Sequence, residues 1–182
     1  MGFRWGFKAE ANRIAVRVRT SLSLSSIEPI DPVSVCHHFD IELFALSTLR
    51  LDSDILLTSD SSEFSAVTVP CGGRRAIVHN DSHHQYRQRS NICHELAHCF
   101  LGHSCAPPLT KDGDLNRNSD IEAEATFLAG CLLVTNEAAQ HIMSKGLSLN
   151  AQHLYGISKP MLDFRLRVSG ALAIQSRRLR VM

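Results

Sequence analysis

The sequence predicts one domain of the α+β class. An apolar stripe with helical spacing lies near the N-terminus, three short apolar runs bounded by turn residues follow between residues 41 and 79, and helical patterns continue to residue 168. This order is typical of α+β proteins. A chain of 182 residues can bury one sizeable core. We expect a single domain, with residues 1–30 as an N-terminal helical extension, 31–170 as the core and 171–182 as a basic tail.

The composition is that of an ordinary globular protein. The chain is 44% hydrophobic and 20% charged, and its formal net charge of +1 creates no strong field toward nucleic acid or membranes. Apolar runs are too short to span a bilayer, and charged residues such as Arg4, Lys8 and Arg13 interrupt the N-terminal segment where a signal peptide would be apolar. These features predict a cytoplasmic protein without membrane contact, and they argue against direct binding to nucleic acid.

Two helices are expected before the first strand. The first covers residues 3–20, and residues 21–26 form a linker. The second is short, begins at Asp31 with Pro32 in its first turn, and ends near Phe39. The apolar stripe of the first helix, with steps of four and three residues, consists of Phe7, Ala11, Ile14 and Val18.

The three apolar runs predict a small sheet. Residues 41–46, 64–69 and 75–79 have the length and composition of strands. The turn residues at 70–73 join the last two into a hairpin. We therefore expect about three strands in a mostly antiparallel sheet.

Helices account for most of the second half of the chain. One runs from residue 85 to about residue 101 and stops at Gly102. Residues 104–117 contain two prolines and read as a loop, after which a strong helix covers residues 120–133. Shorter helices are expected at residues 136–145, 151–155 and 158–168.

The first of these helices contains the pattern His-Glu-x-x-His, formed by His94, Glu95 and His98. Two histidines four residues apart lie on one helix face, so their imidazoles can converge on one metal ion. A carboxylate next to the first histidine can take a proton from water that the metal activates. The alternative is a buried histidine pair without metal, which is costly when the polar groups have no partners. The pattern predicts a metal-dependent hydrolase, most plausibly of peptide bonds.

A catalytic zinc ion usually has three protein ligands, so a third must come from elsewhere. The next helix offers Asp120, Glu122 and Glu124. Glu122 is our candidate, because Ala125 and Ala129 share its helix face and would allow close approach of the motif helix. Glu124 is about 200° away around the helix and cannot face the same metal. Glu122 could instead close a capping box with Ser119. A cap at Asn118 or Asp120 would free Glu122 for the metal.

Other histidines, two tyrosines and the cysteines allow further roles. His103, five residues after His98, could be a hydrogen-bond donor behind the ligands, a substrate contact or a surface residue. The pair His83-His84 is expected to be solvated. Tyr86 and Tyr155 are candidates for stabilising the oxyanion of peptide hydrolysis. None of the six cysteines has C-x-x-C spacing, so we expect small buried thiols and no zinc ribbon.

Two stretches together resemble the ImmA/IrrE family of metallopeptidases. One runs from Tyr86 to His103 and combines an arginine-rich lead-in, the core His-Glu-Leu-Ala-His and a further histidine five residues on. The other runs from Ile121 to Leu133 and looks like the family's glutamate- and alanine-rich helix. Thr126 stands where the family usually has Asn or Asp, which makes it a candidate contact to the ligands or the substrate.

The resemblance implies a zincin-like fold, a metal site that includes Glu122, and intracellular cleavage of a helix-turn-helix repressor. The expected ion is Zn²⁺, although Mn²⁺ or another divalent ion would suit the same donors. Two other functions remain open. One is a zincin-like module that docks a repressor or DNA without cutting it, against which the intact Glu95 argues. The other is a toxin-like partner that an adjacent regulator holds inactive.

Overall fold

A computed structural model describes residues 3–49, 64–103 and 118–179, and the predicted loop at 104–117 lies outside these ranges. Within them the chain is α+β, as predicted, with two short 3-10 helices at Leu46–Thr48 and Leu147–Leu149. The strands are β1 (Glu42–Ala45), β2 (Ala66–Cys71) and β3 (Arg74–His79). The α-helices are α1 (Phe7–Ser21), α2 (Pro32–His38), α3 (Gln85–Phe100), α4 (Ser119–Leu133), α5 (Asn136–Ser144), α6 (Ala151–Tyr155), α7 (Lys159–Val168) and α8 (Ala171–Leu179).

Helix α1 belongs to the main core. Its predicted stripe is buried and packs against α4. The helix starts four residues later than the pattern suggested, because Gly6 has a left-handed φ of 78° that interrupts helical geometry. Phe3 therefore precedes the helix, and its ring stacks on Phe7 with centroids 5.3 Å apart.

Helix α2 begins as the sequence predicts. The carboxylate of Asp31 accepts hydrogen bonds from the backbone N–H groups of Val33 and Ser34, at 3.4 and 3.1 Å. Pro32 occupies the first turn, where its missing N–H has no helical partner to lose. Asp31 is therefore the N-cap of this helix, and the sequence-based prediction of its start is confirmed.

The sheet has three strands in the order β1-β3-β2. Strands β2 and β3 form the predicted antiparallel hairpin, and Gly72 and Gly73 supply the positive φ values, 52° and 83°, that its tight turn requires. Strand β1 lies on the far side of β3 and runs parallel to it. The expectation of a mostly antiparallel sheet holds only for the hairpin, because β1 pairs with β3 in the parallel direction. Strand β2 is left as an edge.

Helices α3 and α4 pack against each other at the centre of the molecule. Cys93 and Ala97 on α3 are fully buried, and so is Ala125 on α4. Ala129 on α4 is only 3% exposed. Small side chains let two helix backbones approach closely, as the sequence suggested for Ala125 and Ala129. The polar residues that flank this contact are therefore brought within reach of one another.

Two fully buried arginines hold the C-terminal end of α4. Arg19 of α1 donates to the carbonyl oxygens of Leu132 and Leu133, at 2.9 and 3.3 Å. Arg165 of α7 donates to the carbonyl of Val134 at 2.7 Å. Carbonyls at a helix end have no partner within the helix, so these bonds satisfy them. Burial lowers the pKa of Arg19 to about 10, which still leaves the guanidinium charged at neutral pH.

The C-terminal part is helical to the end of the described residues. The shorter helices predicted after α4 are present, and α8 adds a helix within the segment expected to be a basic tail. Ala171 is buried at its start, whereas Arg177 and Arg178 are exposed. Among the described helices, none combines the length and apolar character needed to cross a bilayer.

Candidate metal centre

Helix α3 presents His94 and His98 on the same side. The helix starts after His84, whose Nδ1 accepts from the backbone N–H of Tyr86 at 3.2 Å. Four residues are slightly more than one helical turn, so the two imidazoles are neighbours along the axis, edge to face, with centroids 4.8 Å apart. Their Nε2 atoms are 3.1 Å apart. Both nitrogens thus point at one location beside the helix.

Helix α4 brings Glu122 to that location. Its Oε2 is 3.2 Å from Nε2 of His94, and its Oε1 is 3.6 Å from Nε2 of His98. The helix is capped by Asn118, whose side chain accepts from the backbone N–H of Asp120 at 3.0 Å. The capping box with Ser119 does not form, so Glu122 is free to turn toward the imidazoles.

The donor set fits a divalent metal ion. The three ligand atoms lie within 4.8 Å of one another. In a tetrahedral site with bonds of about 2.0–2.1 Å, ligand atoms are about 3.3 Å apart, which resembles the separations here. Burial lowers the pKa of His98 to about 4, and the nearby His94 contributes a smaller lowering. The imidazole of His98 is therefore neutral at pH 7, as a metal ligand must be. The Glu122 side chain is 42% exposed, which leaves the group accessible to small molecules.

Glu95 lies beside this group in a different environment. It is buried, and Thr68 of strand β2 donates a hydrogen bond of 2.7 Å to its Oε2. Burial raises the pKa of Glu95, and the Thr68 hydroxyl and the charge of His94 act in the opposite direction. A carboxyl with a raised pKa is a better proton acceptor than an exposed one. Its position and environment suit a general base.

His103 packs behind His98. Gly102 has φ of 69° and ends α3, and the N–H of His103 then turns back to the carbonyl of His98 at 3.0 Å, as in a Schellman motif. This turn places Nδ1 of His103 3.0 Å from Nδ1 of His98. Nε2 of His103 faces Glu124 at 4.0 Å. Of the three roles considered for His103, the geometry favours a hydrogen-bond partner for the second nitrogen of His98.

Arg75 of strand β3 stabilises this helix end. Its guanidinium donates to the carbonyl oxygen of His103 at 2.9 Å and to that of His98 at 3.4 Å. Arg75 and Thr68 were not identified from the sequence, and Glu124 was considered there only as a metal ligand. Residues on strands approach α3 only through tertiary packing, so no local pattern indicated the first two. Glu124 was identified only as facing away from the metal, which it does.

The structure corrects two sequence-based expectations. Tyr155 is buried in the core, and its hydroxyl donates to the carbonyl of Ile27 at 2.6 Å, which argues against a role at the reacting carbonyl. His83 is buried rather than solvated, with Nδ1 3.3 Å from the amide nitrogen of Asn91, because the turn before α3 folds inward. Tyr86 lies on the first turn of α3 with its ring edge-on to His84. Thr126 is exposed one turn beyond Glu122.

The buried cysteines remain protonated thiols. Burial raises the pKa of Cys36 and of Cys93 to about 12, and that of Cys131 to about 11. A thiol needs a low pKa to serve as a nucleophile or to ligate a metal readily. These three cysteines are therefore packing residues, as the sequence suggested, whereas Cys105 lies outside the described residues.

Replacing Glu122 should weaken metal binding. We expect Glu122→Gln to reduce zinc affinity on the order of 100-fold, because a neutral amide replaces the one anionic donor. Competition with a chromophoric chelator measures this affinity. Asp120→Asn is the matched control, since Asp120 is exposed on the first turn of the same helix and should leave affinity unchanged. Equal affinity in wild type and Glu122→Gln would contradict the assignment of Glu122.

Comparison with known proteins supports a metallopeptidase. The model of the IrrE N-terminal-like domain, peptidase family M78, matches residues 36–167, which include every residue of the candidate metal group. No curated protein matches the chain. The matched range covers most of the chain, from the last turn of α2 through the described sheet and α3 to α6 and into α7, which it leaves one residue before its end. The chain therefore belongs to the M78 family of metallopeptidases, as the resemblance to ImmA/IrrE proteins indicated.

Proposed function

We propose that this protein is a zinc-dependent endopeptidase that cleaves a regulatory protein, with a helix-turn-helix repressor as the substrate class. The observation that carries the proposal is the convergence of His94, His98 and Glu122 beside the buried carboxyl of Glu95. The substrate class rests on the resemblance to ImmA/IrrE proteins. A cytoplasmic location is part of the proposal, because repressors act on DNA in that compartment.

Zinc is the ion that this donor set suits best. Two imidazole nitrogens and one carboxylate oxygen are a common ligand set of catalytic zinc, whereas structural zinc usually has four protein ligands that include cysteine. Partial exposure of the three side chains, from 16% for His98 to 42% for Glu122, fits a site that must also admit a substrate. Manganese or another divalent ion could occupy the same donors with different affinity.

The residues divide the chemistry between them. When bound, the metal supplies Lewis acidity, which polarises the scissile carbonyl and makes water a better acid. Glu95 accepts the proton as the water attacks, and it then delivers that proton to the leaving amine. Thr68 holds the Glu95 carboxylate through its hydroxyl. His103 fixes the ring of His98 from behind, so that Nε2 remains directed at the metal.

The position of Glu95 favours cleavage over docking alone. Burying a carboxyl costs free energy unless it is compensated, and here the hydrogen bonds from Thr68 and the charge of His94 offset only part of the loss of water. A module that only docks a repressor has no need for a buried, proton-accepting group beside a metal site. The arrangement is explained by a hydrolytic reaction.

Replacing Glu95 tests the reaction directly. Glu95→Gln should lower kcat on the order of 10³-fold or more, because the amide cannot accept the proton, while zinc affinity stays close to that of wild type. The assay incubates zinc-loaded protein with purified helix-turn-helix repressors encoded near its gene and follows cleavage products by mass spectrometry. Glu42→Gln, at an exposed glutamate of β1, is the matched control and should cleave normally. Full activity of Glu95→Gln would contradict the assignment of Glu95 as the general base.

The Thr68 hydrogen bond predicts a change in pH dependence. The hydroxyl stabilises the charged form of Glu95 and so lowers its pKa, against the larger effect of burial. Thr68→Val removes this bond, so the pKa of Glu95 should rise and the acidic limb of kcat/KM should move to higher pH. Thr68→Ser keeps the hydroxyl and should restore the wild-type profile. An unchanged acidic limb in Thr68→Val would show that the bond does not tune the base.

A further inference from the structure

A cavity of about 540 Å³ opens beside the metal group. Its volume falls in the range of about 300–1,000 Å³ that ligand pockets occupy. Glu122 lines this cavity and is also the carboxylate of the metal group. A molecule that enters the cavity is therefore next to the position where a scissile carbonyl would bind.

One wall is a continuous strip of helix α4. Thr126, Ala123 and Phe127 lie about 40°, 100° and 140° around the helix from Glu122, so they lead away from the metal in one direction. Glu124 is on the other side of the helix, where it faces His103. The strip carries small or apolar side chains, which leaves room for a bulky group next to α4.

Two aromatic rings from outside α4 also form part of the wall. Phe3 and Phe164 both line the cavity, and both pack on the buried ring of Phe127, with centroids 5.1 and 6.3 Å from it. Phe3 is still 36% exposed, so part of its ring faces open space. Phe3 lies outside the residues that match the family domain, whereas Phe164 lies within them, so the N-terminal segment adds one ring of this wall to the matched domain.

The charges at the cavity favour an apolar occupant. Of the described residues that line it, Glu122 is the charged one, and its carboxylate oxygens are directed at His94 and His98. Among the described residues, the lining therefore offers a charged substrate side chain no uncommitted group of opposite charge. An apolar side chain would cover the exposed faces of Phe3 and Phe164 and gain from leaving water.

We propose that this cavity is the specificity subsite that binds a large apolar side chain, such as leucine, methionine or phenylalanine, close to the scissile bond of the peptide substrate. The inference rests on the proposed peptidase function. The preferred substrates are then protein segments with a large apolar residue at one fixed position beside the cleaved bond. Phe3 and Phe164 select the side chain, and Ala123 leaves the space for it.

A peptide library tests the subsite. Zinc-loaded wild-type protein is incubated with peptides from a digested proteome, and mass spectrometry identifies the cleaved bonds. Large apolar residues should be enriched several-fold at one fixed position. Ala123→Trp fills the cavity, so the ratio of cleavage rates for large over small residues at that position should fall at least tenfold. Ala173→Trp, the same change at an exposed alanine of α8, should keep the wild-type preference.

The outcomes separate the inference from the proposed function. Absence of cleavage by wild-type protein with stoichiometric zinc overturns both. Cleavage without apolar enrichment, or an unchanged preference in Ala123→Trp with wild-type zinc affinity, overturns the subsite alone. If Ala123→Trp does not fold, the same cleavage assay with Phe3→Ala tests the subsite. Loss of that ring opens one wall and should reduce the apolar preference several-fold, whereas an unchanged preference contradicts the proposal.

Discussion

The close contact between α3 and α4 determines what this molecule can do. Small buried residues on both helices allow their backbones to approach, and the polar side chains next to the contact then meet. His94 and His98 come from one helix and Glu122 from the other, at separations of 3.2 and 3.6 Å. A bulkier residue at Ala125 or Ala129 would separate the helices, and even one ångström of separation would spoil the geometry of a metal site.

Hydrogen bonds hold both ends of α4, so the position of this helix depends on other parts of the fold. Asn118 caps the first turn, while Arg19 and Arg165 bind the carbonyls at the last. The arginines come from α1 and α7, so elements that contribute no metal ligand still determine where Glu122 sits. Strand β3 does the same for α3, because Arg75 holds the turn that places His103 against His98. The site therefore depends on long-range hydrogen bonds as much as on its own motif.

Local sequence patterns predicted the parts of the site that lie on helices. The spacing of His94 and His98 follows from helix geometry, and the face of Glu122 follows from its alanine neighbours. The sequence left two caps possible for α4, and the structure shows that Asn118 is used. Thr68 and Arg75 could not be identified, because their strands meet α3 only in the folded protein. The parallel pairing of β1 and the inward turn of His83 likewise depend on tertiary packing, which short patterns do not encode.

X-ray absorption spectroscopy of the zinc-loaded protein would identify the atoms that bind the metal ion. We expect one zinc ion per chain with nitrogen and oxygen neighbours at about 2.0–2.1 Å and the multiple-scattering signature of two imidazoles. The cysteines offer a clear contrast, since Cys99 follows His98 directly in the sequence. Sulfur neighbours at about 2.3 Å would contradict the site formed by His94, His98 and Glu122.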